Sequence, residues 1–412
     1  MSTFESFGLS PGLVRAASER GYVDPTAIQE AAIPATLRGS DVLASARTGS
    51  GKTAAFALAL LQQLEGMARK APRRTHALVL VPTRELADQV GETIHALGRH
   101  LAEPVKVVVL FGGVSINPQM MRLRGGAEVV VATPGRLLDI VDRNALGLSD
   151  VALLVLDEAD RLLDAGFADE LARVLALLPR RRQNLLFSAT FPASVRGLAQ
   201  DLLREPVRIE PPAEPTAEPD IEQHAVQVDA ARRTSLLRHM IARGRWSRVL
   251  VFVATKYATE HVAEKLRRSG IDAAAFHADL SQGARTRLLS EFKAGRWQAL
   301  VATDIAARGI DIAQLPVVVN YDLPRSPVDY VHRIGRTARA GGSGLAVSFV
   351  SAATEAHFRL IEKRQGRRVT RETIEGFEPT ELEAPPVDAG GGVKGRRKSR
   401  KDKLREAASR SE

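Results

Sequence analysis

Residues 46–53 read ARTGSGKT, a glycine-rich turn that closes on a lysine and a threonine. Gly49, Ser50 and Gly51 can let backbone N–H groups curl around phosphate oxygens, and a helix starting behind them adds a favourable dipole. Lys52 would then reach the β- and γ-phosphates of a nucleotide, and Thr53 would offer its hydroxyl to Mg2+. The general phosphate-loop pattern G-x-x-x-x-G-K-[ST] wants glycine where this chain has Ala46, so that pattern alone indicates a nucleotide site without specifying its kind. About 105 residues further on, LLVLDEAD (residues 153–160) sets carboxylates directly behind an apolar run, which is costly unless something cationic waits there. Asp157 can hold Mg2+ through water, and Glu158 can orient and deprotonate a water attacking the γ-phosphate. Asp157 alone could be a helix N-cap; paired with the upstream loop, it reads as part of a triphosphate-cleaving site.

Such groups need a scaffold that gathers distant loops. Short apolar runs at residues 41–46, 76–81, 105–111, 128–133, 152–157 and 184–190 alternate with amphipathic Ala/Leu/Arg-rich stretches, the pattern of βαβ units with buried parallel strands. Runs at 248–253, 273–277, 299–303, 317–322 and 345–350 repeat the style. Two doubly wound α/β halves are expected, residues 1–209 and 221–366. Between them EPPAEPTAEPD, residues 210–220, removes backbone donors and resists burial, as an extended linker would. Beyond residue 366 the periodicity fades, and residues 367–412 are expected to form a disordered basic tail. The polar clusters follow the candidate strands, and ligands in open parallel sheets bind beyond the carboxyl ends of strands, so the clusters should share one edge.

Composition narrows the class. The 412 residues contain no cysteine, which excludes disulfides, zinc fingers and thiol nucleophiles. Lys and Arg exceed Asp and Glu by 58 to 48, and residues 394–412 alone supply +6 of that +10, compatible with a polyanionic partner. The opening MSTFESFG has no basic leader with an apolar run. The most apolar helix candidate, residues 53–61, meets Gln62 and Gln63 well short of the roughly 20 residues that span a bilayer. The expectation is a soluble cytoplasmic protein with no membrane contact.

With these residues in view, the chain from about residue 4 to residue 349 resembles the DEAD-box family of ATP-dependent RNA helicases, whose name Asp157, Glu158, Ala159 and Asp160 spell. The family loop reads A-x-T-G-x-G-K-T, and Ala46, Thr48, Gly49, Gly51, Lys52 and Thr53 match it, with Arg47 and Ser50 at its variable positions. The resemblance implies two tandem RecA-like doubly wound parallel-sheet domains and, among bacterial members with a short basic tail, the RhlE-type group. GYVDPTAIQ resembles the adenine-reading motif: Gln29 would pair with adenine, supported by Tyr22, Thr26 and Phe4. HRIGRTARAG carries Arg336 and Arg339 at the positions of arginine fingers that meet the γ-phosphate on domain closure. His332 and Arg333 would face the phosphate side and the DEAD carboxylates. Ala338 stands where the family often has glycine. In ATDIAARGIDI, Gly309 and Asp311 imply ribose contact, and Thr303 and Asp304 the RNA and interdomain side. Ser188 and Thr190 of SAT would couple hydrolysis to strand separation.

For RNA, the resemblance implies base-independent backbone contacts from Pro82, Thr83 and Arg84, from Gly112 and Gly113, from Thr133, Pro134, Gly135 and Arg136, and from Gln282 and Arg285. The expected activity is ATP- and Mg2+-dependent local unwinding of short RNA duplexes, or remodelling of RNA–protein complexes, with ribosome-assembly or RNA-decay proteins as candidate partners. The basic tail would add salt-sensitive nonspecific affinity or only solubility. Two other classes stay open: an ATP-gated RNA clamp or scaffold that unwinds little, and a DNA helicase of a neighbouring family.

Overall fold

The computed structural model describes residues 3–46, 49–67, 71–164, 166–210, 221–307, 315–338 and 343–380. Its first sheet contains β1 (Val42–Ser45), β2 (Ala77–Leu80), β3 (Val107–Leu110), β4 (Val129–Ala132), β5 (Leu153–Leu156), β6 (Gln183–Ser188) and β7 (Val207–Ile209). The second contains β8 (Ile221–Gln227), β9 (Val249–Phe252), β10 (Ala273–Phe276), β11 (Ala299–Ala302), β12 (Val317–Asn320), β13 (Gly344–Val350) and β14 (Arg371–Glu372). The orders are β3-β4-β2-β5-β6-β1-β7 and β10-β11-β9-β12-β13-β8-β14. Renumbered from its own first strand, the second sheet has the same order as the first. Every pairing named here is parallel, for example Val79 opposite Val131 and Val155.

The apolar runs explain this. β2, β4 and β5 are buried along their whole length, as strands covered on both faces must be. Alternate residues point to opposite faces: Val79, Val131, Val155 and Phe187 enter one apolar cluster, and Leu80, Val130, Leu156 and Leu186 another. Lys52–Glu65 is a helix packed into the first cluster, its Phe56 ring 5.5 Å from that of Phe187. That helix continues past residue 61, where the sequence suggested a stop. Gln63 donates to the Thr36 carbonyl and the Gln183 side chain, and Gln62 accepts from the Ser10 N–H, so both side chains find partners without ending the helix.

Three strands escaped the sequence reading. β7 has three residues, β14 two, and β8 alternates irregularly between exposed and buried positions. β14 also corrects the expected onset of the tail. Residues 367–380 belong to the second lobe: Arg371 bridges Glu355 and Glu362, and the Thr380 N–H and hydroxyl donate to Asp229. Polar pairing, invisible to hydrophobic periodicity, holds this stretch, together with Val369 in one apolar cluster and Ile374 and Phe377 packed on another. Apart from Glu210 the expected linker lies outside the described residues, as do residues 381–412. Among the described residues no helix is long and apolar enough to cross a membrane.

Candidate functional site

The phosphate loop leaves β1 at Ala46, whose N–H donates to the Ser188 carbonyl at 2.9 Å. Ala46 is buried in the first cluster, so the methyl that departs from the general glycine pattern is a core group. Gly49 and Gly51 have φ of 88° and 89°, backbone that glycine adopts without penalty. A Cβ on Gly51 would lie 2.5 Å from Gln29 Nε2 and 2.9 Å from Thr26 Oγ1. These two side chains brace the loop from behind. Gln29 donates to the Gly51 carbonyl at 3.1 Å and accepts from the Thr26 N–H at 2.9 Å, while the Thr26 hydroxyl donates to the Ser50 carbonyl at 2.8 Å. The residue expected to read adenine thus holds the loop, with a second amide N–H and one carbonyl lone pair to spare. Phe4 is a core residue, edge-on to Phe7, and Tyr22 packs on the same cluster. Arg47 and Thr48 lie outside the described residues.

The acidic turn follows β5. Lys52 Nζ lies 2.9 Å from Asp157 Oδ1 and 3.8 Å from Glu158 Oε1, and Arg161 donates to Glu158 Oε2 at 2.9 Å. All four side chains are buried. Glu158 has φ 53°, a left-handed conformation that costs a non-glycine residue about 1–2 kcal/mol. Burial pushes Asp157 up and Glu158 adds to this, with Lys52 opposing. Burial also works against charge on Glu158, but Arg161, Lys52, Arg336 and His332 outweigh it and hold the carboxyl below its ordinary range. For Lys52 burial opposes the charge, and the two carboxylates outweigh it and raise the ammonium. Asp157 Oδ2 is buried without a hydrogen-bond partner, a costly atom unless a cation or donor meets it.

Asp160 joins this turn to β6. Its carboxylate accepts from the Thr190 N–H at 3.0 Å and the Thr190 hydroxyl at 2.7 Å. The Ser188 hydroxyl donates to the Thr190 carbonyl at 2.7 Å and accepts from the Asp160 N–H at 3.2 Å.

The second lobe brings its own groups to the same place. His332 rides on the helix Pro327–Ile334 among Arg161, Asp160, Arg336 and Glu158; burial first, then Arg161, lowers it to about 4, so its imidazole is neutral at pH 7. Arg336 is buried and close enough to Glu158 to stabilise its charge. Arg333, expected near the DEAD carboxylates, instead forks onto both Asp304 oxygens at 2.6 Å and donates to Asn320 and the Asp322 carbonyl. It lies over the Phe252 ring and ties the second lobe together. Arg339, Gly309 and Asp311 lie outside the described residues.

The expected RNA residues line the same edge. Pro82 is buried, and Thr83 caps the helix Arg84–Leu97, accepting from the Leu86 N–H. Gly113, at φ 76°, leaves room for the Arg84 guanidinium, which a Cβ would strike at 1.9 Å. Gly112 and Gly135 have open space where a Cβ would be. Thr133 and Pro134 start the helix Pro134–Val141, and Arg136 donates to the Val114 carbonyl at 2.8 Å while its Nη1 has no hydrogen-bond partner. Thr303 accepts from the Ala306 N–H. Gln282 and Arg285 behave differently: Arg285 is 4% exposed, pairs with Glu85 of the first lobe at 2.6 Å, and donates to the His277 and Ala306 carbonyls. Gln282 donates to Asp88 at 3.4 Å. Here these two side chains join lobes through protein contacts.

Sequence reasoning missed Glu85 and Asp88, acidic at i and i+3 in the first helical turn after PTR; Arg161, three residues after Glu158; and Gln119, whose amide accepts from the Phe111 N–H and donates to its carbonyl. The helical spacing of the first three was a usable signal.

Residues 26–198 match the DEAD/DEAH box helicase family, and residues 232–341 the helicase conserved C-terminal domain. The ATP-dependent RNA helicase DeaD of Mycobacterium tuberculosis is 44% identical over 94% of this chain and 66% of its own length. The DEAD-box ATP-dependent RNA helicase CshA of Bacillus cereus is 37% identical over 94% of this chain and 71% of its own. Among solved structures, S. cerevisiae Dbp5 bound to RNA and ADP BeF3 superposes with a TM-score of 0.79 at 32% identity, covering 90% of this chain and 96% of that one. With the phosphate loop, acidic turn and second-lobe arginine on one edge of two like sheets, these matches agree: the chain belongs to the DEAD-box family of ATP-dependent RNA helicases.

Proposed function

We propose that this chain couples ATP hydrolysis to local unwinding of short RNA duplexes and remodelling of RNA–protein complexes, with residues 1–209 and the lobe from residue 221 as its two motor domains. The observation that carries this reading is the meeting of Lys52, Asp157 and Glu158 with His332 and Arg336 from the other lobe. A site divided between lobes is complete only when they close, so nucleotide and RNA affinity become linked. Gly49, Gly51 and Lys52 hold the phosphates, Gln29 contacts adenine while bracing the loop, and Gly309 and Asp311 take the ribose. Glu158, kept ionised, accepts a proton from the attacking water. Arg336 and Arg339 spread the charge that develops on the γ-phosphate. The unpartnered Asp157 Oδ2 and the Thr53 hydroxyl fit Mg2+, which when bound would neutralise phosphate charge.

On the RNA side, Arg84, Gly112, Gly113, Thr133, Gly135 and Arg136 meet the sugar-phosphate backbone. The Asp160 bonds to Ser188 and Thr190 support a link from hydrolysis to that surface. The protein acts in the cytoplasm, on RNA of ribosome assembly or decay. Glu158→Gln tests the reading: it keeps nucleotide and RNA binding, loses turnover and traps the closed complex on RNA. Wild-type turnover in that variant would remove Glu158 as the base. Crosslinking RNA to it identifies the substrate, and ATP binding without displacement of a short duplex by the wild-type protein would indicate a clamp.

A further inference from the structure

The helix that follows β9, Lys256–Arg267, begins at the carboxyl edge of the second sheet, the edge that carries the proposed site. Its first turn presents Tyr257, 74% exposed. One helical turn on, the His261 ring stacks on it with centroids 5.7 Å apart and planes 14° from parallel. The chain has four tyrosines; Tyr321 and Tyr330 pack into apolar clusters and Tyr22 against the first-lobe core. Tyr257 alone of the four is held out into solvent, with one ring face against the imidazole.

Its surroundings are polar. Lys256 pairs with Asp279 at 2.5 Å and Glu260 with His277 at 2.8 Å, which fastens this turn to the loop leading to Gln282 and Arg285. Those two residues touch the helix Arg84–Leu97 of the first lobe, whose start carries the proposed RNA residues Thr83 and Arg84. An aromatic ring amid charged and hydroxyl groups offers little contiguous apolar area to a protein partner. It offers a full π-face to a nucleobase, and stacking of this kind tolerates any base.

We infer that Tyr257, buttressed by His261, is a stacking platform for an unpaired base of the bound RNA strand, a contact additional to the backbone contacts proposed above. The inference rests on the RNA-binding reading. Bracing by His261 restricts the tyrosine before binding, which lowers the ordering cost of the stack.

The test is the affinity of the full chain for a short fluorescent single-stranded RNA with a non-hydrolysable ATP analogue, across a salt series. Tyr257→Ala should weaken binding about 5- to 150-fold, the range of losing one base stack, with the salt slope unchanged because no phosphate contact is lost. Tyr257→Phe and Tyr257→Trp should stay within about twofold of wild type, since they keep the π-face. An RNA carrying abasic sites should bind the wild type as weakly as intact RNA binds Tyr257→Ala. Because the side chain is exposed, the melting temperature should not move, which separates the effect from unfolding. Equal affinity of Tyr257→Ala and wild type overturns the platform alone. A loss that persists equally on abasic RNA, or that changes the salt slope, also overturns it. Failure of the wild-type protein to bind RNA would overturn the functional reading itself, and the platform with it.

Discussion

Replacing Glu85 with alanine should loosen the closed arrangement without touching the nucleotide loop. Glu85 and Arg285 meet across the lobes at 2.6 Å, with side chains 11% and 5% exposed. When the lobes part, Glu85 regains water, whereas Arg285 keeps its bonds to the His277 and Ala306 carbonyls and its place over the Phe276 ring. Removing Glu85 therefore leaves a buried guanidinium without its counter-charge only in the closed state. Breaking a buried pair from one side costs about 3–5 kcal/mol. The two carbonyls that Arg285 retains reduce this, and about 2–3 kcal/mol is expected, a roughly 30- to 150-fold weaker closure. RNA affinity with a non-hydrolysable ATP analogue should fall by that factor. RNA affinity without nucleotide, and nucleotide affinity without RNA, should change little. Arg285→Ala is a poorer single probe, since it also strips bonds internal to the second lobe, but it completes a double-mutant cycle. A coupling below about 0.5 kcal/mol would refute the reasoning, because distant, independent sites already add to within that margin.

Two further outcomes follow from the charges. Partial burial and then Glu85 raise Asp88 to about 6, Glu92 adding and Arg122 and Gln282 opposing. A carboxyl raised in this way binds its proton more tightly in the closed state, so its contribution to closure is fully present below its ordinary value and is lost as pH rises through about 6. His332, lowered to about 4, acts oppositely over an overlapping range, so the comparison of Asp88→Asn with wild type isolates Asp88. The variant should bind RNA more tightly than wild type at pH 7.5, and that advantage should shrink several-fold by pH 5.5; a constant ratio across pH would refute the assignment. Lys52→Met should abolish nucleotide binding and leave Asp157 and Glu158 repelling each other without the one cation that pairs with both. Its melting temperature, relative to wild type, should therefore drop more at pH 8 than at pH 5.5, where a carboxyl can take up a proton; calorimetry at the two pH values checks this.

The apolar strands and the order of motifs were legible because burial on both faces forces unbroken runs such as Ala77–Leu80 and Val129–Ala132, and because loops after such strands fall on one edge. Pairing of polar groups was not legible. β14 is held by Arg371 between Glu355 and Glu362, a contact between residues nine and sixteen apart that no period reveals. Arg285 and Arg333 illustrate the same limit at the site. An arginine in a motif can serve a phosphate or a carboxylate, and only the fold shows Glu85 facing one and Asp304 the other.

Gln29 shows why a residue's type can be right for two tasks at once. An amide carries donors and acceptors enough to hold Gly51 and Thr26 and still face a base. Gly51 must then lack a side chain for two reasons: φ is 89°, and the space a Cβ would take belongs to Gln29 and Thr26. Ala46 stands at the opposite end of the loop, where the backbone leaving β1 is still tied to the sheet through Ser188 and a buried methyl fills core. The alanine that breaks the general phosphate-loop pattern and the glutamine that lies outside it are thus parts of one support, which fixes the loop from the sheet on one side and from the helix Ala27–Leu37 on the other. A ligand that pulls on Gln29 moves the same backbone that Lys52 extends, and through the Lys52–Asp157 pair it reaches the acidic turn and, by Asp160, Thr190.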